Sequence, residues 1–527
     1  MSTDHSTNGQ FSDVTDGLAS INRRQLLSVA AAAATGAAAL TSGLAQAQSV
    51  GGTASGVQDL DLSSAAAAIR NGAMTSESYV TQLLDRAASL SDLKAFITID
   101  RASVLEAARA ADKARAAGRS SPLLGLPIGV KDSYLTKGLP SSLGTSVLKN
   151  FTPDHDATVV ASIKSAGGIV FGKNNLAEMS YGLTGINDHY GQVKNPHDRT
   201  RITGGSSSGA GASVAARIVP AALGGDTVGS IRVPASLCGV VGFKPTPGRW
   251  PSKGTAPISG TLDTVGVLAR SVADCVLLDT VVTRGASSKQ KSSTGLKGVR
   301  LAYAPRQHLA GVDPAVEAVF RESLRKLVDA GANVVEIDLG SDFNALTDQV
   351  AWPIFFHETM PAVREFVAQN GIPASFEQIY EGLGQSFKGA WTQFVVPGAP
   401  NFISDETYRT VMDKHRPALQ RRYSAIAFTQ ADALLFPTTP CAAPPIETQW
   451  KFPVAGQEVS YRFLSRNTYP GSGAGLPGIS IPMGLSSDRL PFGLEMDGPS
   501  GSDRNLLALA HRVEQILAVS SPIPRVI

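Results

Sequence analysis

The chain has few cysteines and no marked excess of charge of either sign. It holds three cysteines in 527 residues, and 47 basic residues nearly balance 44 acidic ones, for a formal charge of +3. Cys238, Cys275 and Cys441 are far apart in apolar surroundings, which is typical of buried thiols rather than of a disulfide framework. A balanced charge lacks the basic footprint of proteins that bind nucleic acid or anionic membranes. The composition therefore predicts no nucleic-acid partner.

Motifs for metals and nucleotides are absent or incomplete. No Cys/His cluster has zinc spacing, and His357-Glu358 lacks the second histidine that a zinc-protease helix carries four residues on. Residues 167–174 (GGIVFGKN) match a phosphate-binding loop except that Asn174 replaces the Ser or Thr that would hold magnesium. The interior of this motif has the pattern of a strand after a helix, whereas a phosphate loop follows a strand and opens a helix. We therefore expect no metal and no cofactor.

The first 47 residues have the composition of an export signal. A polar leader precedes Arg23 and Arg24, two leucines, an alanine-rich apolar run and a small-residue site ending at Ala47. This order resembles a twin-arginine signal peptide, whose substrates cross the membrane already folded. The alternative is a membrane anchor, but the weakly apolar alanines, threonines and glycines favour cleavage. We expect a signal over residues 1–47 and a periplasmic or secreted mature chain over 48–527, without stable membrane insertion.

Helical and strand-like segments alternate beyond the signal. Alanine-rich or periodic stretches predict helices, at about residues 64–71, 76–90, 102–117, 158–166 and 503–517. Short apolar runs predict strands, at about residues 126–130, 168–171, 219–223, 433–436 and 478–483. This alternation indicates an α/β fold built on a central sheet.

A helical block rich in aromatic residues occupies the middle of the chain. It follows a polar stretch at residues 286–297, which predicts a surface loop. The large aromatic side chains of the block are Trp352, Phe355, Phe356, Tyr380, Phe387, Trp391 and Phe394. Such a block is a candidate cap over a ligand pocket. The alternative is that these rings simply pack helices onto the core.

Two glycine- and serine-rich segments are candidate catalytic loops. Residues 205–209 (GSSSG) have the form of a nucleophile elbow centred on Ser207, but an elbow needs a strand leading straight into it. Residues 195–204 are polar and contain a proline, which favours a loop there. In residues 224–234 (GGDTVGSIRVP), a helix beginning near Ser230 would direct free backbone N–H groups at whatever this serine attacks. Lys131 ends an apolar strand-like segment, and burial would make it a proton acceptor at neutral pH.

Together these segments resemble the amidase signature family. The resemblance is carried by residues 204–209, 225–232 and 238–246, and extends to the segments at 172–178, 261–266 and 475–482. It covers roughly residues 55–520 and is weakest over 290–430, a region that differs among family members. It implies a three-layer α/β/α fold with a central mixed β-sheet flanked by helices. Residues 48–527 would then be one catalytic domain, with 290–430 as a variable helical cap within it.

The resemblance also implies a serine, serine, lysine triad. Ser230 falls on the nucleophile that forms the acyl-enzyme, Ser206 on the bridging serine that follows a cis peptide bond, and Lys131 on the base. Thr227, Val228 and Gly229 fall on the loop whose amides form the oxyanion hole. The scattered histidines then need no catalytic role.

The sequence departs from the family at Val228, where most members carry glycine. A β-branched residue does not readily adopt positive φ, so this position either narrows the substrate range or weakens the oxyanion hole. Residues 493–499 and 501–504 look most like the arylacetamide-type amidases, such as the indoleacetamide and mandelamide hydrolases. The resemblance therefore implies hydrolysis of small, aryl-containing amides.

There are three other hypotheses about function, and the oligomeric state stays open. The same triad could act on an ester, carbamate or aryl-urea bond, and Val228 leaves room for a catalytically weakened binding protein. A glutaminase subunit acting on charged transfer RNA is disfavoured by the export signal. The sequence leaves the oligomeric state open, with a homodimer among the options.

Overall fold

The computed structural model describes residues 56–285, 295–519, 521, 522 and 524. Their strands are β1 (Phe96–Thr98), β2 (Pro127–Lys131), β3 (Ile169–Asn174), β4 (Lys194–Asn195), β5 (Asp198–Ile202), β6 (Ala221–Asp226), β7 (Val241–Lys244), β8 (Thr264–Ala269), β9 (Arg300–Tyr303), β10 (Asn333–Glu336), β11 (Ala433–Pro437), β12 (Lys451–Val454), β13 (Gln457–Ser460), β14 (Gly478–Leu485) and β15 (Pro491–Asp497). The predicted signal peptide and most of the polar stretch at 286–297 lie outside the described residues.

The α-helices of the same residues are α1 (Leu62–Arg70), α2 (Ser76–Ser89), α3 (Arg101–Ala116), α4 (Thr158–Ser165), α5 (Ser208–Ala215), α6 (Arg232–Cys238), α7 (Val272–Val282), α8 (Pro305–His308), α9 (Pro314–Asp329), α10 (Phe343–Gln369), α11 (Phe376–Glu381), α12 (Gln385–Phe394), α13 (Asp405–Thr410), α14 (Arg416–Arg422), α15 (Tyr469–Ala474) and α16 (Asp503–Leu517). None of the described helices is both long and apolar enough to traverse a lipid bilayer.

Eleven strands form one mixed sheet, in the order β1-β3-β2-β6-β8-β7-β14-β15-β11-β9-β10. β2 pairs in parallel with both β3 and β6, whereas β6 and β8 are antiparallel. Helices flank this sheet, so the predicted α/β fold with a central mixed sheet is confirmed. Because β2 and β6 run side by side in the same direction, their carboxyl ends meet at one edge. Residues that follow these two strands are therefore brought together there.

The predicted elements are confirmed with small changes at their ends. Helix α16 matches the predicted span, and Thr75 caps α2 as its pattern indicates. Helix α1 begins earlier than predicted, at Leu62, because Asp61 rather than Ser63 provides the N-cap. The loop interpretation of residues 195–204 was wrong in part, since β4 and β5 pair there as a small hairpin. Its polar residues pair outside the main sheet, which local pattern does not reveal.

Two apolar cores support the site. The larger core lies around the sheet, and all three cysteines are buried free thiols, as predicted. The second core joins the sheet edge to α10, α11 and α12, which belong to the aromatic block. This second core sets the aromatic helices beside the loops that follow β2 and β6.

Candidate active site

A buried lysine and a buried serine form a direct hydrogen bond at the sheet edge. Lys131 is the last residue of β2, and its Nζ donates to Ser206 Oγ over 2.7 Å. Ser206 follows a cis peptide bond after Gly205, as the family resemblance implies. Burial lowers the pKa of Lys131 to about 7, although the charges of Asp263 and Asp226 oppose that shift. Lys131 can therefore lose its proton near neutral pH.

The third predicted residue, Ser230, lies in the turn between β6 and α6. Asp226 ends β6, and its carboxylate accepts the N–H of Gly229 at Oδ1 (2.7 Å) and that of Ile231 at Oδ2 (3.1 Å). These two bonds fix the backbone on both sides of Ser230, which is 4% exposed. The Gly229 amide, predicted as an oxyanion donor, is therefore already engaged by Asp226.

A buried arginine holds that carboxylate in place. The Arg232 guanidinium donates to both oxygens of Asp226, at 3.0 Å each, and to Ser472 Oγ at 2.8 Å. It also donates to Glu495 on β15 over 3.3 Å. Burial opposes ionisation of Asp226, but Arg232 outweighs it and lowers the pKa of this carboxyl. The turn that carries Ser230 is thus anchored by an ionised pair inside the protein.

Val228 occupies its position without the strain that its β-branched side chain would suffer at positive φ. The left-handed backbone falls instead on Gly229, whose φ is +140°, while Val228 is not among the positive-φ residues. The Val228 carbonyl accepts the hydroxyl of Thr468 over 2.7 Å, and its side chain is 4% exposed. The valine therefore acts as a wall of the adjoining cavity rather than as a distortion of the loop.

Two cavities are lined by the predicted triad residues and their neighbours. The first, of about 410 Å³, is lined by Ser230, Val228, Tyr181 and rings of the aromatic block. The second, of about 590 Å³, is lined by Lys131, Ser206, Thr227, Asp263 and small polar residues. Ser180 lines both, so the cavities adjoin beside the predicted triad. One side of the site is aromatic, and the other carries the ionisable side chains of Lys131, Asp226 and Asp263.

Part of the aromatic block lines the first cavity. Trp352, Phe355 and Phe356 are among the residues of its wall. Trp391 and Phe387 are buried in the second core and do not line this cavity. Phe355 and Phe356 belong to that core as well, so the same rings can both pack the helices and face the cavity.

Sequence reasoning gave no role to the Asp226–Arg232 pair that anchors the turn, and it also missed two charged residues beside the cavities. Asp263 is half-buried, accepts the hydroxyl of Thr227 over 2.6 Å, and has its pKa raised to about 6 by desolvation. Asp263 lies in the 261–266 segment that carries the family resemblance, but no role was predicted for this residue. Arg462 lines the aromatic cavity from a short 3₁₀ helix, Tyr461–Ser465, and nothing in the local sequence marks it.

The two competing loop motifs have structural roles. Ser207, the centre of the supposed elbow, is buried and its hydroxyl donates to the Gly225 carbonyl over 3.1 Å. The GGIVFGKN motif contains β3 and follows α4, as its pattern predicts, so it does not have the strand-to-helix context of a phosphate loop. Lys173 of that motif is buried against Asp132, with 3.1 Å between Nζ and Oδ1.

Comparison with known proteins agrees with this fold. The family model described as Amidase matches residues 78–507. The chain belongs to the amidase signature family and is a hydrolase that acts on amides.

Two sequence relatives and one solved structure locate it further within the family. It is 36% identical over 474 residues to the mandelamide hydrolase of Pseudomonas putida, which covers 87% of this chain and 92% of the relative. It is 33% identical over 455 residues to the indoleacetamide hydrolase of Allorhizobium ampelinum, covering 85% and 96%. A peptide amidase in complex with the competitive inhibitor chymostatin superposes with a TM-score of 0.76 at 26% identity, covering 89% and 99%.

Proposed function

We propose that the protein hydrolyses the C–N bond of small, aryl-containing carboxylic amides through an acyl-enzyme on Ser230. The observation that carries this proposal is the position of Ser230 on an aromatic cavity, beside a cavity that holds the buried Lys131–Ser206 pair. The similarity to mandelamide and indoleacetamide hydrolases, both named for aryl-containing amides, supports the same substrate class.

The proton relay follows from the chemistry of the three side chains. Neutral Lys131 accepts the proton of Ser206, which takes one from Ser230 as Ser230 Oγ attacks the amide carbonyl. The C–N bond breaks when Ser206 gives its proton to the departing nitrogen and takes one back from protonated Lys131, which is then neutral again. Water then hydrolyses the ester on Ser230, with the same pair as general base, and releases the acid.

The developing oxyanion requires backbone donors from the Ser230 turn. Because the Gly229 N–H is bonded to Asp226, we assign this role to Thr227 and Val228 among the three predicted residues. The Thr227 side chain is fixed by Asp263, and the Val228 carbonyl is fixed by Thr468. These bonds anchor the loop on both sides of the Val228 N–H before substrate arrives.

The two cavities suggest where each half of the amide lies. The aromatic cavity suits the aryl acyl group, since Trp352, Phe355 and Phe356 line it. The amine leaves on the side of Ser206, which is the donor of its proton and lines the second cavity.

Mass spectrometry after treatment with a fluorophosphonate tests the nucleophile. A single adduct on Ser230 is expected, with strong loss of labelling in Lys131→Ala. In parallel, Ser230→Ala should abolish turnover of phenylacetamide without unfolding the protein. An adduct on Ser207 would restore the elbow interpretation, and no adduct would favour the binding-protein hypothesis. Undiminished turnover by Ser230→Ala would refute the proposed mechanism.

The bond type is tested with matched substrates. The anilide and the phenyl ester of phenylacetic acid present the same aryl acyl group, with nitrogen or oxygen as the leaving atom. Hydrolysis of the anilide at a rate close to that of the intrinsically more reactive ester would support an amidase. Turnover of esters, carbamates or ureas alone would replace the amide proposal with those bonds.

We also propose that residues 1–47 direct export through the twin-arginine route. The support is the Arg23-Arg24 pair and the small residues ending at Ala47. Cell fractionation of the full chain and of an Arg23→Lys, Arg24→Lys variant tests it. Periplasmic protein that begins near residue 48, lost in the variant, is the expected result. Equal retention of both proteins in the cytoplasm would contradict it.

A further inference from the structure

The aromatic cavity contains one formally charged side chain. It is Arg462, and the other eleven lining residues are aromatic, aliphatic, glycine or serine. Arg462 lies in the 3₁₀ helix Tyr461–Ser465, which follows the β12–β13 hairpin. A guanidinium therefore faces the same space as Ser230.

Three rings fix this guanidinium without using its hydrogen-bond donors. Arg462 Cζ lies 5.4 Å from the ring centroid of Trp352, 5.5 Å from that of Phe356 and 5.4 Å from that of Phe394. Phe356 and Phe394 are themselves stacked, with centroids 4.3 Å apart. Ring faces stabilise the positive charge but are poor acceptors for N–H groups.

The guanidinium of Arg462 has neither an acidic partner nor a hydrogen-bond acceptor among the described residues. Within the described residues, the ion pairs and side-chain hydrogen bonds include no carboxylate and no carbonyl that receives its guanidinium. Its charge is felt across the cavity, since burial raises the pKa of Tyr181 while Arg462 acts to lower it. A fixed cation with open in-plane donors is suited to a bidentate carboxylate.

We propose that Arg462 selects substrates whose acyl part carries a carboxylate in addition to an aryl group, that is, monoamides of aryl-containing dicarboxylic acids. This rests on the proposed function, in which the acyl part occupies the aromatic cavity. The carboxylate belongs to the acyl part and not to the amine, because Arg462 lines the cavity of Ser230 rather than that of Lys131. Arg462 is thus a specificity-determining residue.

A pair of isosteric substrates tests the proposal. Carboxyphenylacetamides and nitrophenylacetamides share size and planarity, but only the carboxy compounds are anionic. The 2-, 3- and 4-isomers place the substituent at different distances from Arg462. In the wild-type protein at least one carboxy isomer should have a kcat/KM about 10- to 100-fold above its nitro counterpart, mainly through KM.

Substitutions separate recognition from packing. Arg462→Met should lower kcat/KM far more for the carboxy substrate than for the nitro substrate, so that the ratio between them falls to about one, while Arg462→Lys keeps part of the preference. Arg364→Met is the matched control, because Arg364 also lies over a ring, Phe376 at 5.3 Å, but outside the cavity lining. Equal losses on both substrates in Arg462→Met would mean that the arginine is only a wall.

A measurement on the wild-type protein keeps the test independent of folding of the variant. The carboxylate preference should fall as ionic strength rises, whereas kcat/KM for the nitro compound stays constant. No preference for any carboxy isomer in the wild type would overturn the proposal. Hydrolysis of neutral aryl amides with no anion preference would reject this inference alone. Failure to hydrolyse any aryl amide, with no adduct on Ser230, would reject the proposed function itself.

Discussion

Lys131 Nζ lies 2.7 Å from Ser206 Oγ, and neither side chain has significant contact with solvent. The pair joins residues 75 positions apart in the sequence. A lysine held in this way is deprotonated far more easily than one in water, because burial disfavours its charged form. The first three predictions follow from this relationship.

Activity should rise with pH and follow the ionisation of Lys131. Its pKa is lowered to about 7, and the neutral amine is the base, so kcat/KM should fall about tenfold for each pH unit below that value. The measurement is a pH profile of kcat/KM from pH 5 to 9 with a neutral aryl amide, whose own charge stays constant. A profile that is flat over this range would contradict the role of Lys131.

Removing the charge of Asp263 should move that profile to lower pH. The carboxylate of Asp263 raises the pKa of Lys131 against the effect of burial, so Asp263→Asn takes away part of this opposition. The apparent pKa of kcat/KM should therefore decrease, by up to about one unit. Asp85→Asn, which alters an exposed carboxylate paired with Arg101, is the control and should leave the profile in place. A shift of the Asp263 variant to higher pH would contradict the assignment.

Lys131 should destabilise the folded protein at neutral pH, by an amount that shrinks as pH rises. The pKa is about 7 in the folded protein and about 10.4 in an unfolded chain, so the unfolded state binds more protons between these values. Wild-type stability should therefore rise relative to Lys131→Met as pH increases from 7 to 9.5, by up to about 1.4 kcal/mol per pH unit. Urea unfolding of both proteins at several pH values measures the difference. A constant difference would mean that Lys131 is not titrating in this window.

Gly229 should not tolerate a side chain. Its φ is +140°, and a Cβ atom there would meet Thr468 Oγ1, which holds the Val228 carbonyl. Gly229→Ala should therefore shift the oxyanion loop and lower kcat by about 100-fold or more, comparable to loss of one oxyanion donor. Gly389→Ala is the matched control, because its Cβ would meet no atom within 4 Å. Wild-type kcat in the Gly229 variant would show that the loop adapts.

Val228→Gly should widen the substrate range at a cost in stability. The valine is 4% exposed and lines the aromatic cavity, so its removal enlarges the space next to Ser230. We expect kcat/KM for α-substituted aryl amides to rise about tenfold relative to phenylacetamide, with a loss of about 2 kcal/mol in unfolding free energy. The same substrate ratio in both proteins would mean that Val228 does not contact the acyl group.

Local sequence patterns predicted most of the helices and strands of the fold. Alternating helices and strands predict an α/β sheet, and the resemblance to the amidase signature family assigns Lys131, Ser206 and Ser230 before any contact is known. The loop interpretation of residues 195–204 failed in part because the hairpin strands pair with each other outside the main sheet. Pairing of this kind depends on partners, which composition does not reveal.

The sequence by itself determined the chemical types at the site: two serines and a lysine, each in a glycine-rich or strand-end context that leaves little room for other residues. Only the tertiary structure decided which contacts these side chains make and how deeply they are buried. Parallel pairing of β2 and β6 brings Lys131 to the Ser230 turn, and Asp226 takes the Gly229 amide out of the predicted oxyanion hole. The packing of α10 and α12 around the 3₁₀ helix set Arg462 among aromatic rings. Such contacts join residues distant in the chain, and their burial and charge arise only when the core closes around them.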